Sequence, residues 1–437
     1  MASTASAKSR EIWLDGLRGI AAAIVAWFHF TVTEMKAPYR SFWAVPATEN
    51  HRFFQLPPFR LLFAGQSMVL LFFVISGYAV STSIIRLRDD APAQFYRKLT
   101  SSVFRRGFRL YIPVLTLCLI SHSAYYMGLI DWMPGDREGC PGAQPWSALR
   151  PHLSCLTMTF LTTLHLSGPF YVTGYNFHLW TISYEYQCSM TVYLVILGLA
   201  SIRPRVRLLA IAGLCVTLMW FGSPILSAFM AGLLFAELDV LREASWNSLA
   251  AGEMRKPTIL VRNCANVFTG FLFVSGIYLL CLPQDTTFPP DFWFQSSLEL
   301  PFYVDPEIRI RGWHAVGAIL VVGTLRRVRF LRVPLETRLV QFLGTISFSL
   351  YLFHPLFIMV MRNRILQAVC YHLWGTDFWQ TQQDESAWHV LFLAWTAAAV
   401  VMFPLLILAS MYMSKTVDRK SVVWAYQVEN LVSRASR

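Results

Sequence analysis

Apolar runs of membrane-spanning length recur along the whole chain, separated by short polar segments. They lie near residues 17–35, 61–85, 110–130, 176–200, 207–221, 223–241, 263–282, 313–331, 345–362 and 387–412. A helix needs roughly 20 apolar residues to cross a bilayer. The pattern therefore predicts an all-α, polytopic membrane bundle of about ten transmembrane helices. The fifth and sixth runs are short, and Gly222, Ser223 and Pro224 predict a tight turn between them. The longest polar connections are 131–175 and 283–312, and no internal repeat is visible. The expected organisation is a cytoplasmic tail over 1–12, one transmembrane domain over 13–413 and a basic cytoplasmic tail over 414–437.

Charge orients this layout. The first run reads as an uncleaved signal anchor with its N-terminus in the cytoplasm. With that start, 27 of the 37 Lys and Arg fall on the cytoplasmic side, as the positive-inside rule requires. An even span count then places both termini in the cytoplasm. Glu237 and Asp239 end the sixth run at that boundary, where solvation is the expected reason for their charge.

Composition agrees with a multi-pass integral membrane protein. The chain is 55% hydrophobic, 15% aromatic and only 14% charged, against about a quarter charged for soluble domains. The net charge of +12 does not point to nucleic acid, because the basic residues gather at span ends. The eight cysteines show no metal-ligand spacing, so no metal site is expected. Cys118, Cys188, Cys215 and Cys264 read as small core residues. Cys140 and Cys155 share one connection and are close enough in sequence to pair in an oxidising compartment.

Ionisable residues inside apolar runs need a reason. In "LDGLRGIAAAIVAWFHF" Arg18 and His29 are eleven residues apart. That spacing brings them to one helix face, about 16 Å apart along the axis. Arg18 then sits at the cytoplasmic boundary, with Asp15 one turn away, and His29 near midplane. A neutral imidazole in a dry pocket suits a general base; a histidine bonded to a neighbouring helix is the structural alternative. Ser76 and Gly77 in "FFVISGY" point first to close helix packing, with Ser76 also a candidate substrate-lining residue. Arg106 and Arg109 share a face at the entrance of the third span, a pairing suited to a phosphorylated ligand. In "HLWTISYEYQ" His178 and Glu185 share a face if the helix already runs through both. In "ISFSLYLFHP" Ser347, Tyr351 and His354 form a polar stripe, and Pro355 predicts a kink.

Taken together, "DGLRGIAAAIVAWFH", "FFVISGY", "FRRGFRLYIP", "HLWTISYEYQ" and "ISFSLYLFHP" resemble the acyltransferase-3 family of integral-membrane O-acyltransferases, and they occur in family order. The resemblance runs from the first to the ninth span and is nearest to fungal members. It implies a ten-span bundle that moves an acyl group, often acetyl, from acyl-CoA to a hydroxyl. By position, Arg18 and His29 match the family's essential Arg and His, Arg106 and Arg109 its paired-Arg motif, and Glu185 the first acid of its Trp-Ser-x-Ser-x-Glu-Glu-like motif. Thr181 replaces that motif's first Ser and Tyr186 its second acid, and Ile112 stands where the family has Pro. The soluble hydrolase-like domain fused to some bacterial members has no counterpart.

The expected mechanism has Arg106 and Arg109, with Arg18, on the phosphates of acyl-CoA. His29 takes the acceptor's proton. Glu185 assists, and Ser76, His178, Ser347, Tyr351 and His354 line the substrate. No cofactor is held permanently; acyl-CoA, by default acetyl-CoA, is a co-substrate. The other partners are the lipid bilayer and a hydroxyl-bearing acceptor: a sugar, a lipid or, by analogy with fungal relatives, a secondary metabolite. The competing class is a proton-coupled secondary transporter, which also needs intramembrane His, Glu and Arg.

Overall fold

A computed structural model describes residues 12–35, 37–89, 91–130, 143–164, 176–249, 259–283, 302–303 and 305–435. Helices dominate, and no β-strand occurs among the described residues. The principal ones are α1 (Ile12–Thr31), α2 (Gly65–Arg88), α3 (Pro92–Tyr126), α4 (Leu149–Thr163), α5 (Trp180–Gly198), α6 (Pro204–Trp220), α7 (Pro224–Leu249), α8 (Ile259–Leu280), α9 (Pro306–Arg327), α10 (Arg338–Phe357), α11 (Asn363–Trp374), α12 (Trp388–Met413) and α13 (Arg419–Ala435). A π-helical turn, Ile358–Arg362, joins α10 to α11, and another, Ser414–Asp418, joins α12 to α13.

Five continuous helical stretches are long and apolar enough to cross a membrane: Gly65–Arg88, Pro224–Glu243, Pro306–Arg327, Arg338–Trp374 and Trp388–Ser433. The last shows why water is the wrong solvent for this fold. Along α12 Val390, Ala394, Ala398, Met402 and Leu406 are buried at four-residue spacing. On its other faces Phe392, Val400 and Leu408 stand 70%, 66% and 60% exposed. A hydrocarbon surround removes the cost of that second, continuous apolar surface.

The turn at 222–224 forms as expected. α6 stops at Trp220, Gly222 takes φ +69°, and α7 starts on Pro224. The left-handed φ suits glycine, and proline suits the first helical turn. Two connections differ from expectation. α4 lies within the polar stretch 131–175, and α3 begins eighteen residues before the third apolar run. The early start has a local cause. Pro92 opens the helix, and Phe95, Leu99 and Leu110 bury one side of a segment whose other sides carry the basic residues.

The chain divides into two compact units. The first comprises residues 1–28, 34–95 and 191–347. Its main packing is α2 against α7, with α6, α8 and α9 alongside. The α2–α7 crossing depends on missing side chains: a Cβ on Gly77 would run into the Phe229 carbonyl, and one on Gly232 into that of Val74. Small residues let helix backbones touch in this way, so the close-packing expectation for Gly77 is met.

One expectation about this unit is corrected. Glu237 is not solvated but 1% exposed. Its carboxylate takes both η nitrogens of Arg88, at 2.6 and 2.8 Å, and Nε of Arg207 at 3.2 Å. Asp239, half-buried, is ion-paired with Arg326 at 3.1 Å and accepts from the Tyr78 hydroxyl at 3.1 Å. A buried carboxylate requires such partners.

The second unit comprises residues 29–33, 96–190 and 348–437. Arg362, fully buried in the π turn, donates to the Phe30 carbonyl at 2.8 Å and Thr33 Oγ1 at 2.9 Å. It thereby satisfies the last turn of α1, whose carbonyls have no intrahelical donors. The Phe30 ring sits edge-on to Trp395 and Phe403, each 5.2 Å away. At the other end of this unit, Arg105 lies over the Tyr426 ring at 3.8 Å and pairs with Glu429 at 3.2 Å, so 419–435 is a docked helix rather than a loose tail.

Of the cysteines, Cys118 and Cys188 are buried free thiols and Cys215 is half-buried. Cys155 is disulfide-bonded. Cys140 and the side chain of Cys264 lie outside the described residues.

Candidate active site

Three histidines meet in the second unit. His29, one turn from the end of α1, has its Nδ1 3.4 Å from His354 Nε2. The two ring centroids are 5.0 Å apart, and that of His178 is 5.6 Å from His354. His354 and His178 are buried; His29 is the half-buried member. The Phe177 ring closes one side at 5.8 Å.

Each ring is held from a different stretch of sequence. His178 lies in the 3₁₀ turn Phe177–Leu179, immediately before α5, so the α-helix does not run through it and Glu185 together. Its Nε2 lies 3.0 Å from the Leu352 carbonyl. A carbonyl only accepts, so the proton is on Nε2 and the lone pair on Nδ1. His354 lies on α10 just before Pro355. Tyr351, one turn earlier, caps the other side. Its hydroxyl, Thr181 Oγ1 and the His178 carbonyl form a triangle of hydrogen-bond distances of 2.7, 3.0 and 3.2 Å.

The first turns of α5 carry a second polar group. Thr181, Glu185 and Ser189 recur every four residues and so share a face. Glu185 forms a close ion pair with Arg106 Nη2, and Arg106 Nε donates to Ser189 Oγ at 3.0 Å. Arg106 and Arg109 are thus placed differently: Arg106 turns inward to Glu185, whereas Arg109 is exposed. Tyr186, in the position of the second acid, packs edge-on against Tyr111 at 5.4 Å.

The remaining candidates belong to the first unit. Arg18 Nε donates to Ser347 Oγ at 3.2 Å, and its Nη2 is 3.9 Å from Asp15. Around that pair the glycines of "DGLRG" matter: a Cβ on Gly19 would collide with the Gly344 backbone, and one on Gly344 with the Asp15 carbonyl. Ser76 is half-buried on α2, beside Gly77.

The structure therefore gathers His29, His178, Tyr351 and His354, joins Arg106 to Glu185, and joins Arg18 to Ser347. Thr181, Ser189 and Arg362 were not among the expected site residues. Thr181 and Ser189 are legible in retrospect from their four-residue spacing to Glu185. Arg362 is legible as a charge inside the apolar stretch "LFIMVMRNRIL". No group of three or more metal-ligating side chains occurs among the described residues.

A half-buried histidine whose ring meets a second, buried histidine can take a proton from a hydroxyl. It equally suits a proton path. The family separates these readings: residues 11–414 match the acyltransferase domain family. The chain belongs to that family. It is a membrane-bound acyltransferase, and transport is not its established class. It is 24% identical over 393 residues to an acyltransferase of Cochliobolus lunatus, covering 80% of this chain and 83% of that one. An O-acetyltransferase of Phomopsis amygdali is 29% identical over 385 residues, covering 78% and 71%. An acyltransferase of a Phoma species is 25% identical over 388 residues, covering 79% and 82%. No solved structure matches.

Proposed function

We propose that this acyltransferase transfers an acetyl group from acetyl-CoA to a hydroxyl of a small secondary metabolite, with His29 as general base. The observation that carries the proposal is the histidine cluster, in which His29 is the half-buried ring and His178 and His354 are buried behind it. The acetyl preference rests on the O-acetyltransferase among the relatives, and the metabolite class on the fungal origin of the relatives. The proposed topology is multi-pass, with ten spans, both termini cytoplasmic and one transmembrane domain over 13–413.

In this scheme His29 removes the acceptor's proton as its oxygen attacks the thioester carbonyl. The tetrahedral intermediate collapses with cleavage of the C–S bond. The imidazolium then returns the proton to the CoA thiolate, leaving ester and CoA-SH. General-base assistance of this kind is worth about 10²–10⁴ in rate, and alignment of the two substrates adds to it. Arg106 and Arg109 are assigned to the donor's phosphates. Arg106 exchanges or shares its bond to Glu185 on binding, which leaves that carboxylate to orient the acceptor. Arg18, in the first unit, is bonded to Ser347 and is proposed as a second essential guanidinium of the reaction.

The test uses full-length protein in detergent with radiolabelled acetyl-CoA and an extract of candidate acceptors. His29→Ala is expected to lose label transfer while keeping its size-exclusion profile. Near-normal transfer by that variant would falsify the base assignment. Uptake of a solute without transfer of label would return the transporter reading.

A further inference from the structure

We infer that His178 binds the acceptor and that the acceptor is a diol or polyol: one hydroxyl is acylated, and a neighbouring hydroxyl donates to His178 Nδ1. The inference rests on the acyl-transfer reading of the histidine cluster and deepens it.

The atoms around His178 are committed in a way that leaves one lone pair over. Its Nε2 lies 3.0 Å from the Leu352 carbonyl, which can only accept, so that nitrogen carries the proton and Nδ1 the lone pair. The residue is 2% exposed, and Nδ1 is completely buried with no hydrogen-bond partner among the described residues. Two hydroxyls lie close by, those of Thr181 and Tyr351, but both are engaged. They are 2.7 Å from each other and 3.0 and 3.2 Å from the His178 backbone carbonyl, a triangle that accepts both of their protons. His354 Nε2 faces His29 Nδ1 at 3.4 Å, and Phe177 has no polar side-chain atom. A buried acceptor without a donor is costly and calls for an explanation.

His122 and His314 also leave one ring nitrogen unpaired; what distinguishes His178 is its place. Phe177 lies 5.8 Å from the His29 ring and 6.0 Å from that of His178. His354 lies 5.0 Å from the first and 5.6 Å from the second. Both imidazoles therefore border one locus. The reacting end of acetyl-CoA has no donor to offer there, because its carbonyl oxygen and its sulfur only accept. The proton of the hydroxyl under attack goes to His29. The donor for His178 then belongs to another part of the acceptor, close to that hydroxyl. A site built to bond such a group rejects the analogue that lacks it.

The test gives full-length protein in detergent radiolabelled acetyl-CoA and an extract of candidate acceptors, then isolates the labelled ester and determines its structure. A free hydroxyl beside the ester is expected; an ester with no neighbouring donor would overturn the inference. The parent alcohol is next compared with its analogue lacking that neighbouring hydroxyl. Wild type should prefer the parent by about 10–100-fold in kcat/KM. His178→Gln keeps an amide N–H for the Leu352 carbonyl near the place of Nε2 and has no acceptor at that of Nδ1. It should raise KM for the parent alcohol, leave KM for acetyl-CoA unchanged and lose the preference. His178→Asn carries an amide oxygen near the place of Nδ1 and gives up the bond to Leu352, and it should keep the preference.

A preference as strong in the glutamine variant as in wild type would overturn the inference, since a packing role does not couple to one hydroxyl of the substrate. A rise in KM for acetyl-CoA alone would overturn it too, and would give the donor to the N–H of the pantetheine arm. The wild-type and glutamine measurements decide the matter even if the asparagine variant fails to fold. If wild type transfers label to no alcohol, the acyl-transfer reading itself fails and this inference falls with it.

Discussion

Glu237→Ala tests the energetics of the first unit directly. In the native protein one carboxylate receives three hydrogen bonds from two guanidiniums, and Glu237, Arg88 and Arg207 are all buried. Each bond to a charged group contributes about 1.5–3 kcal/mol, so simple addition gives roughly 4.5–9 kcal/mol. That sum is too large, because bonds sharing one acceptor are not independent. Asp89, half exposed, also remains 3.4 Å from both Arg88 Nε and Arg207 Nη2 and takes up part of the charge. Removing one partner of a buried pair costs about 3–5 kcal/mol; with Asp89 in place the low end applies. A loss of about 3 kcal/mol is roughly a hundredfold shift in the folding equilibrium. The assay is thermal unfolding in detergent, followed by fluorescence-detected size exclusion at low and high salt. The loss should persist at high salt, because buried charges are poorly screened. Replacing all three members by Glu237→Leu, Arg88→Met and Arg207→Met should recover most of it. A Glu237→Ala protein as heat-resistant as the wild type would refute the reasoning.

Other outcomes follow from the same geometry. Gly77→Val should weaken folding by at least about 1–3 kcal/mol, because its Cβ must displace the Phe229 backbone; thermal unfolding checks it. Arg106→Ala should raise KM for acetyl-CoA more than KM for the acceptor, and the opposite pattern would move Arg106 out of the donor site. Thr181→Ser should be nearly silent in kcat and stability. Thr181→Val, which takes the hydroxyl from the triangle with Tyr351 and His178, should cost about 1–2 kcal/mol. Arg362→Met should destabilise by about 2–4 kcal/mol through loss of its bonds to Phe30 and Thr33.

Much of the architecture is written locally. Apolar run length, turn residues and basic clusters predict helices, the 222–224 turn and the class of the protein, because each depends on neighbours in sequence. Partner identity does not. Arg88 and Arg207 look like ordinary positive-inside residues, and Glu237 like a solvated span end. Only the packing of α2, α6 and α7 in the first unit reveals one buried ion cluster. The same limit applies to Arg106 and Arg109. Their i, i+3 spacing predicts a shared face, but Glu185 draws one inward while the other stays exposed. For the histidines the sequence shows three polar interruptions in separate apolar runs; it does not show that the rings touch. The Thr181 substitution is the easiest departure to understand in hindsight, since threonine keeps the hydroxyl that the contact to Tyr351 uses.

The buried polar groups of the two units differ in kind around Glu237 and around His29, and the difference bears on chemistry. In the first, full charges are buried and paired with one another, which fixes geometry. In the second, the cluster around His29 consists of imidazoles, hydroxyls and carbonyl acceptors, with the buried Arg362 guanidinium bonded to the Phe30 carbonyl next along the chain. When His29 becomes imidazolium during turnover, its Nδ1, 3.4 Å from His354 Nε2, can donate to that ring and share the new charge. A carboxylate in the position of His354 would stabilise that imidazolium more strongly. It would also hold His29 protonated between turnovers, and a protonated base cannot start the next one. His354→Glu is accordingly expected to be less active than His354→Gln, despite its greater similarity to the acid of a hydrolytic triad. Higher kcat for the glutamate variant would show that charge stabilisation, not the resting protonation state, limits the rate.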